Sequence, residues 1–370
     1  MGLAVLEFRL TMGKSSPWIL PDRFEDRLVI FGAGGMGRKI RQALAGIGCC
    51  PLAFCDNNSQ IWDKEIEGVR VLSPAAAVAA FPKAVFMVAI WHPSRTEGLR
   101  RRVEELQKLG CQEVTCFIPL FWKYPDLFLP NMFWEVPGRL SGQESRIAAA
   151  RELLDDLGRA EFDRQLAFHR SGDFFALGEP EPGEQYFPSD IVKLSGQETF
   201  VDCGAYDGDT LRDFLLHSQG SFRKVLALEP DAENFKKLAN SSNDDRVVTL
   251  QYAVGARREL LRISSSGPSS SISSSGSIEI QCVTLDELLA DEEPTFIKMD
   301  IEGSEIDALK GAQKTLKRCR PRLAVCVYHH PDHLWSIPLL LNELVPESRL
   351  TIRSHMLDGF DTVCYCLPQS

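Results

Sequence analysis

The chain has 370 residues, 44% of them hydrophobic and 25% charged, and a formal net charge of −10 with no dense Lys/Arg block among aromatic residues. That length fits about two domains of ordinary size, and the composition is that of a globular protein. The acidic balance lacks the electrostatic footprint of a nucleic-acid binder, which leaves small-molecule chemistry as the expectation. Eleven cysteines, an odd number without CxxC pairs or Cys/His metal spacing, fit reduced core thiols in a cytosolic chain without a secretory h-region. No apolar run approaches the roughly 20 residues needed to span a bilayer.

In chain order, residues 1–26 read as a poorly specified leader with Pro17 and Pro21. From Arg27 a strand and helix alternation begins. "RLVIF" is a buried strand run, and after a glycine loop Met36, Ile40, Leu44 and Ile47 fall at helical spacing. "PLAFCD" and "VRVL" follow as strands, Ser73-Pro74 as a helix start, "AVFMVAI" as a strand, a charged helix near 95–109 and "EVTCFI" as a last strand. Residues 27–122 therefore read as a small doubly wound α/β domain. Residues 123–196 read as a helical connector around one amphipathic stretch, "SRIAAARELLDDLGRAEFDRQLAF", that can also cover the site of the next domain. From 197 to 370 the alternation resumes through "TFVDCGAY", "VLALEP", "VVTLQYAVG", "TFIKMD", "RLAVCVYHH", "RLTIRSHM" and "DTVCYCL". The last two segments are joined too closely for anything but an antiparallel pair, so a seven-stranded sheet is expected. Within it, residues 264–277 hold ten Ser in fourteen positions and read as a flexible surface loop.

Chemistry concentrates in "FVDCGAYDGDT". Asp202 ends a strand, Gly204 permits a tight turn, Gly208 permits close backbone approach, and Asp209 or Thr210 can cap the next helix. A pyrophosphate ligand wants a glycine loop free of carboxylates, because a helix N-terminus attracts negative charge. Asp202, Asp207 and Asp209 fit a cationic ligand instead, and S-adenosylmethionine, with a sulfonium and an ammonium, is one. One strand later Glu229 stands where a carboxylate can accept from both ribose hydroxyls. Each of these acids alone could equally be a helix cap; the pair at successive strand ends points to a ligand.

"FVDCGAYDGDT", "ALEPDAENFKKLAN", "VTLDELL", "FIKMDIEGSEIDALKGA", "VYHHPDHLWSIP" and "IRSH…DTVCYC" together resemble the FkbM family of S-adenosylmethionine-dependent methyltransferases over about residues 186–367. The resemblance implies a class I methyltransferase domain in which Asp202, Gly204 and Gly208 form the methionine-side loop and Glu229 holds the ribose. It implies that Tyr252 lines the adenine and that Asp300 and Glu302 sit beside the reacting end. Tyr206 stands where many members carry Asn, so the side-chain amide contact of the loop is missing at that position. The family's chemistry is chiefly O-methylation of sugar or natural-product hydroxyls.

Transfer to a hydroxyl needs alignment and a proton acceptor. "KMDIEGSE" offers Asp300, Glu302 and Glu305, and "VYHHPDH" offers His329, His330 and His333. If "LAVCVYHH" stays extended, His329 and His330 face opposite sides, and the resemblance selects His329 as the base; Asp300 is the runner-up, because a carboxylate at the end of the fourth strand could orient the histidine or act as the base itself. Acids and histidines together would permit a divalent metal, but no fixed ligand spacing supports one. Glu305 reads as a residue that caps or solvates the helix after Gly303.

Upstream, "GAGGMG" fits G-x-G-x-x-G through Gly32, Gly34 and Gly37, with Asp56 ending the next strand. "AFCDNNSQIWDKEIEGVRVLSP" resembles the N-terminal nucleotide-sugar-binding domain of bacterial sugar acyltransferases, which implies a second nucleotide site; turn glycines kept for packing explain it as well. The fold class expected is thus a seven-stranded class I methyltransferase sheet preceded by a smaller Rossmann-like domain. The function expected is O-methylation of a sugar or natural-product acceptor. Two alternatives stand beside it: an NAD(P)-dependent oxidoreductase using the first loop, and a non-catalytic nucleotide-sugar-binding protein.

Overall fold

The computed structural model describes residues 19–21, 23–264, 271–272 and 278–368. Most of the stretch read as a leader, 1–18 and 22, and most of the serine-rich stretch lie outside these residues. Leu20 and Phe24, at the end of the expected leader, are buried. The chain divides into two compact units: residues 1–142, 164–180 and 356–360 in the first, and residues 143–163, 181–355 and 361–370 in the second. The stretch 123–196 is shared between both and does not form a unit of its own.

The first unit carries β1 (Leu28–Phe31), α1 (Gly35–Ala45), β2 (Ala53–Cys55), β3 (Glu65–Ile66), β4 (Val69–Leu72), α2 (Pro74–Ala80), β5 (Val85–Val88), α3 (Leu99–Lys108) and β6 (Glu113–Cys116), then α4 (Ile118–Lys123) and α5 (Pro125–Phe128). Its sheet runs β3-β4-β2-β1-β5-β6, with only the β3–β4 pair antiparallel. β1 and β5 are buried at every position, which is why they read as unbroken apolar runs rather than as alternation. Ser73 starts α2 by accepting from the Ala76 N–H at 3.2 Å, with Pro74 in the first turn. In α1, Ile40 and Leu44 face the core; Ile47 lies past the helix end at Ala45 and is exposed, so the helical period stops one turn earlier than expected.

Next come α6 (Glu144–Glu152) and α7 (Asp156–Ser171), where a single amphipathic helix was expected. Asp155 causes the break: its N–H bonds the Leu350 carbonyl at 2.9 Å, and its carboxylate accepts the Gly158 N–H at 2.8 Å and the Thr351 hydroxyl at 2.7 Å.

The second unit continues with β7 (Thr199–Cys203), α8 (Asp209–His217), β8 (Lys224–Leu228), α9 (Ala232–Ala239), β9 (Val247–Leu250), β10 (Ala253–Val254), β11 (Glu259–Ser264), β12 (Ser271–Ile272), β13 (Ile278–Val283) and α10 (Leu285–Leu288). It ends with β14 (Phe296–Met299), α11 (Glu305–Lys310), α12 (Gln313–Cys319), β15 (Arg322–Cys326), α13 (His333–Leu344), β16 (Ser348–Ser354) and β17 (Thr362–Pro368). The main sheet has seven strands in the order β16-β17-β15-β14-β7-β8-β9, and β17 is antiparallel to both neighbours, as the short final connection required. Chain order reverses between β7 and β14, so the carboxyl ends of β7, β8 and β14 frame the crevice where ligands of open α/β sheets bind. A four-stranded sheet, β10-β13-β11-β12, was not anticipated. All eleven cysteines are free thiols. Among the described residues, no helix is long and apolar enough to cross a membrane.

Candidate functional site

β7 delivers the chain to Gly204, whose N–H bonds the Leu228 carbonyl at 3.0 Å. Gly204 sits at φ +81°, and a Cβ there would lie 1.8 Å from the Asp300 carbonyl oxygen, so only glycine closes this turn against the end of β14. Gly208, at φ +88°, takes the N-cap position of α8. Neither Asp209 nor Thr210 caps that helix, contrary to expectation: Asp209 is its first residue, and its carboxylate accepts the Thr210 N–H at 2.7 Å. Tyr206 adopts φ +45° and is exposed, and its polar contact comes from its backbone N–H rather than from its side chain.

The acids of this loop are disposed differently from the sequence reading. Asp202 has no exposed surface and pairs with the Nζ of Lys298 at 3.0 Å, its register partner on β14. Lys298 also donates to the Gly204 carbonyl at 2.6 Å, so the pair ties β7, β14 and the loop together. Burial raises the Asp202 pKa, and Lys298 offsets part of that; burial opposes the charge of Lys298, and Asp202 with Asp300 more than restores it. Asp207 pairs with Arg212 at 2.8 Å. Two of the three loop charges invoked for a cationic ligand are therefore already neutralised. Lys298 escaped the sequence reading, although a lysine inside the apolar run "FIKM" was the available signal.

Glu229 is the residue after β8 and is buried. Its carboxylate accepts the Tyr206 N–H at 2.9 Å and the Asp231 N–H at 2.9 Å, so it fixes the glycine loop from the neighbouring strand end. Burial pushes its pKa up to about 7, against the pull of those two N–H bonds. Tyr252 follows β9 and is half-buried, its N–H bonded to the Leu250 carbonyl at 3.0 Å.

Past the ends of β14 and β15 a second cluster forms. β15 stops at Cys326, so the extended strand assumed for "LAVCVYHH" ends before the histidines, and their separation comes from a bend. His329 is buried and His330 exposed. His329 Nδ1 lies 2.7 Å from Glu305 Oε1, and its Nε2 lies 3.3 Å from Asp300 Oδ1 and 4.0 Å from Glu302 Oε2. Burial alone would lower the His329 pKa; Glu305, Asp300 and Glu302 outweigh it and push the value up to about 9. Glu302, at φ +54°, is raised chiefly by burial, which His329 partly offsets. Glu305 does not solvate its helix: it has no exposed surface and accepts the Ile301 N–H at 3.0 Å and the Gly303 N–H at 3.4 Å. Asp300 accepts the Tyr186 hydroxyl at 2.8 Å, and the Tyr328 hydroxyl lies 3.5 Å from its other oxygen. Tyr186 belongs to the stretch read as a connector, and its contact with Asp300 was not foreseen.

Among the described residues, His330, Asp332 and His333 group their ligating atoms within 4.8 Å, a spacing a metal ion could use. His330 Nδ1 is hydrogen-bonded to Asp332 Oδ1 at 2.6 Å.

In the first unit, Gly32 donates to the Cys55 carbonyl at 2.8 Å. Asp56 accepts the Ala33 N–H and the Asn58 N–H, each at 2.8 Å. Gly34 is the exposed N-cap of α1, without a side-chain cap or a first-turn acid, while Gly37 packs on the Gly32 carbonyl.

With this geometry in place, residues 202–355 match the family model of the methyltransferase FkbM domain. The second unit carries an FkbM methyltransferase domain. A 105-residue stretch is 31% identical to the hexuronic acid methyltransferase AglP of Haloferax volcanii, covering 25% of this chain and 43% of that protein, less than half of the relative's length. The crystal structure of a methyltransferase FkbM from Methylobacillus flagellatus KT superposes with a TM-score of 0.75 at 23% identity, over 92% of this chain and 90% of that one. That likeness gives the FkbM domain the α/β fold of the class I methyltransferases. More remotely, Aeropyrum pernix fibrillarin, with natively bound S-adenosyl-L-methionine, aligns at a TM-score of 0.30 and 10% identity, over 48% of this chain and 70% of that one.

Proposed function

We propose that the protein transfers a methyl group from S-adenosylmethionine to a hydroxyl of a sugar or glycoside. The observation that carries the reading is the juxtaposition at one sheet end: the Gly204 turn locked to Glu229, beside His329 among Asp300 and Glu302. The residues fit the donor. The glycine turn brings backbone close to the crevice, Glu229 has remaining lone pairs for ribose hydroxyls, Tyr252 past the end of β9 would line the adenine, and Asp300 with Glu302 would offer negative charge to a sulfonium and an ammonium. When bound, S-adenosylmethionine supplies an electrophilic methyl group. His329 in its neutral form takes the acceptor's hydroxyl proton at Nε2: the O–H bond breaks, an N–H bond forms, and the imidazole becomes imidazolium stabilised by Asp300 and Glu302. The sugar acceptor is supported by AglP, which is named a hexuronic acid methyltransferase, and by the carboxylates of Asp300 and Glu302 beside His329, which can accept from sugar hydroxyls. We place the protein in the cytosol and assign it no membrane or nucleic-acid partner.

The test is titration calorimetry with S-adenosylmethionine and with NAD on the full chain, followed by a screen of sugar acceptors for methyl transfer. Binding of S-adenosylmethionine that is weakened by Glu229→Ala supports the reading. Binding of NAD alone would favour the oxidoreductase alternative.

A further inference from the structure

Glu305 is the first residue of α11 and is wholly buried. A buried carboxylate is tolerated only when it is paired and hydrogen-bonded. Two backbone N–H groups of its own loop, from Ile301 and Gly303, reach Oε1, and so does His329 Nδ1. Its other oxygen faces His333 Nδ1 at 3.3 Å. The loop between β14 and α11, which carries Asp300 and Glu302, is thus folded around the same oxygen that holds the His329 ring. With Nδ1 occupied, Nε2 is the one ring nitrogen left to turn toward Asp300 and Glu302.

We propose that Glu305 is a positioning residue for His329, holding its Nδ1–H so that Nε2 is the nitrogen that exchanges the acceptor's proton. This rests on the reading of His329 as proton acceptor. The neutral ring then carries its proton on Nδ1, and the proton gained at Nε2 leaves the Nδ1–H bond to Glu305 unchanged. Other titratable groups face the same ring: Asp300 and Glu302 from the loop after β14, Tyr328 whose ring lies 4.1 Å away, and buried Asp361 before β17, while His333 from α13 faces the other oxygen of Glu305. Burial opposes the negative charge of Glu305, but His329 and His333 hold its pKa below the usual carboxylate range.

The experiment is nitrogen-15 NMR of the full chain labelled at its seven histidines, with the His329 signals assigned by their loss in His329→Gln. In the wild type above its titration midpoint, His329 should be the Nδ1–H tautomer; an Nε2–H tautomer overturns the proposal, and this measurement needs no variant to fold. In Glu305→Gln the proton affinity of His329 should fall at least tenfold, because the nearest charge is gone. An unmoved midpoint in folded Glu305→Gln overturns the proposal as well. Above the His329 midpoint of both proteins, where each holds the neutral ring, single-turnover methyl transfer by Glu305→Gln should fall by about a hundredfold with S-adenosylmethionine affinity unchanged, which a merely structural role would not produce. Failure of the wild type to transfer methyl to any acceptor would instead sink the functional reading while leaving the Nδ1 tautomer result in hand.

Discussion

In the first unit Gly32 donates to the carbonyl at the end of β2 and Asp56 takes the next N–H of the loop; in the second Gly204 donates to the carbonyl at the end of β8 and Glu229 takes the Tyr206 N–H. Each acid also accepts the N–H two residues further on. The backbone plan is shared, and the surroundings are not. Ile30 faces Met87 in register on β1 and β5, where Asp202 faces Lys298 on β7 and β14. α1 has no acid in its first turn and α8 has Asp209. Beyond the third strand end the second unit gathers Asp300, Glu302, Glu305 and His329. A glycine turn with an acid on the next strand is therefore a way of shaping backbone, and the ligand class follows from the charges added around it.

The largest expected effect lies in that strand pair. Asp202→Ala leaves Lys298 charged and wholly buried, which should cost about 3–5 kcal/mol of stability, whereas Ile30→Val in the first unit should cost about 1 kcal/mol. Chemical denaturation reads both; equal small losses would mean that the ion pair does not organise the second loop.

His329→Ala should slow single-turnover transfer by about a hundredfold or more, with donor affinity nearly intact, and exposed His330→Ala should change little. Because its folded pKa is raised from about 6.5 to about 9, the stability from its ion pairs is complete below about 6.5 and is lost as pH rises toward 9. The base form appears over that same window, so the rate in the free enzyme should climb with pH toward 9. A rate that falls across that range would move the assignment to Asp300.

Glu229→Ala should weaken S-adenosylmethionine binding by about 1.5–3 kcal/mol, and Asp56→Ala should leave it unchanged. With the Glu229 pKa near 7, affinity should also rise as pH passes through 7 and the carboxylate ionises. If Asp56→Ala abolished donor binding in a folded protein, the two loops would not be separate sites. The smallest effect is expected at Asp207→Asn, which removes a solvent-exposed pair with Arg212 and should stay within about 1 kcal/mol in stability.

Much of this was legible because the signals are local. "LVIF", "TFVDC" and "FIKM" read as buried parallel strands from their apolar runs, Gly204 from its place between a strand and a helix, and Glu229 from its spacing one strand later. The sheet of β10 to β13 was not legible, since β10 and β12 have two residues each and β11 exposes Leu260, so neither an apolar run nor a full alternation marks them. Nor was the break at Asp155, whose partners Leu350 and Thr351 lie about two hundred residues away in sequence.

The sequence by itself determined the two glycine turns, the strands of the two main sheets as segments along the chain and which acids stand at strand ends, because turns and strands are set by neighbours in the chain. Only the tertiary structure decided which charges remain free. Asp202 and Asp207 are spent on Lys298 and Arg212, Glu305 turns inward to hold His329, and Tyr186 reaches Asp300 from a stretch that carried no motif. The physical reason is that a charge's role depends on its burial and its partners within a few ångströms, and those partners come from strands and loops that the chain brings together only when the sheet closes.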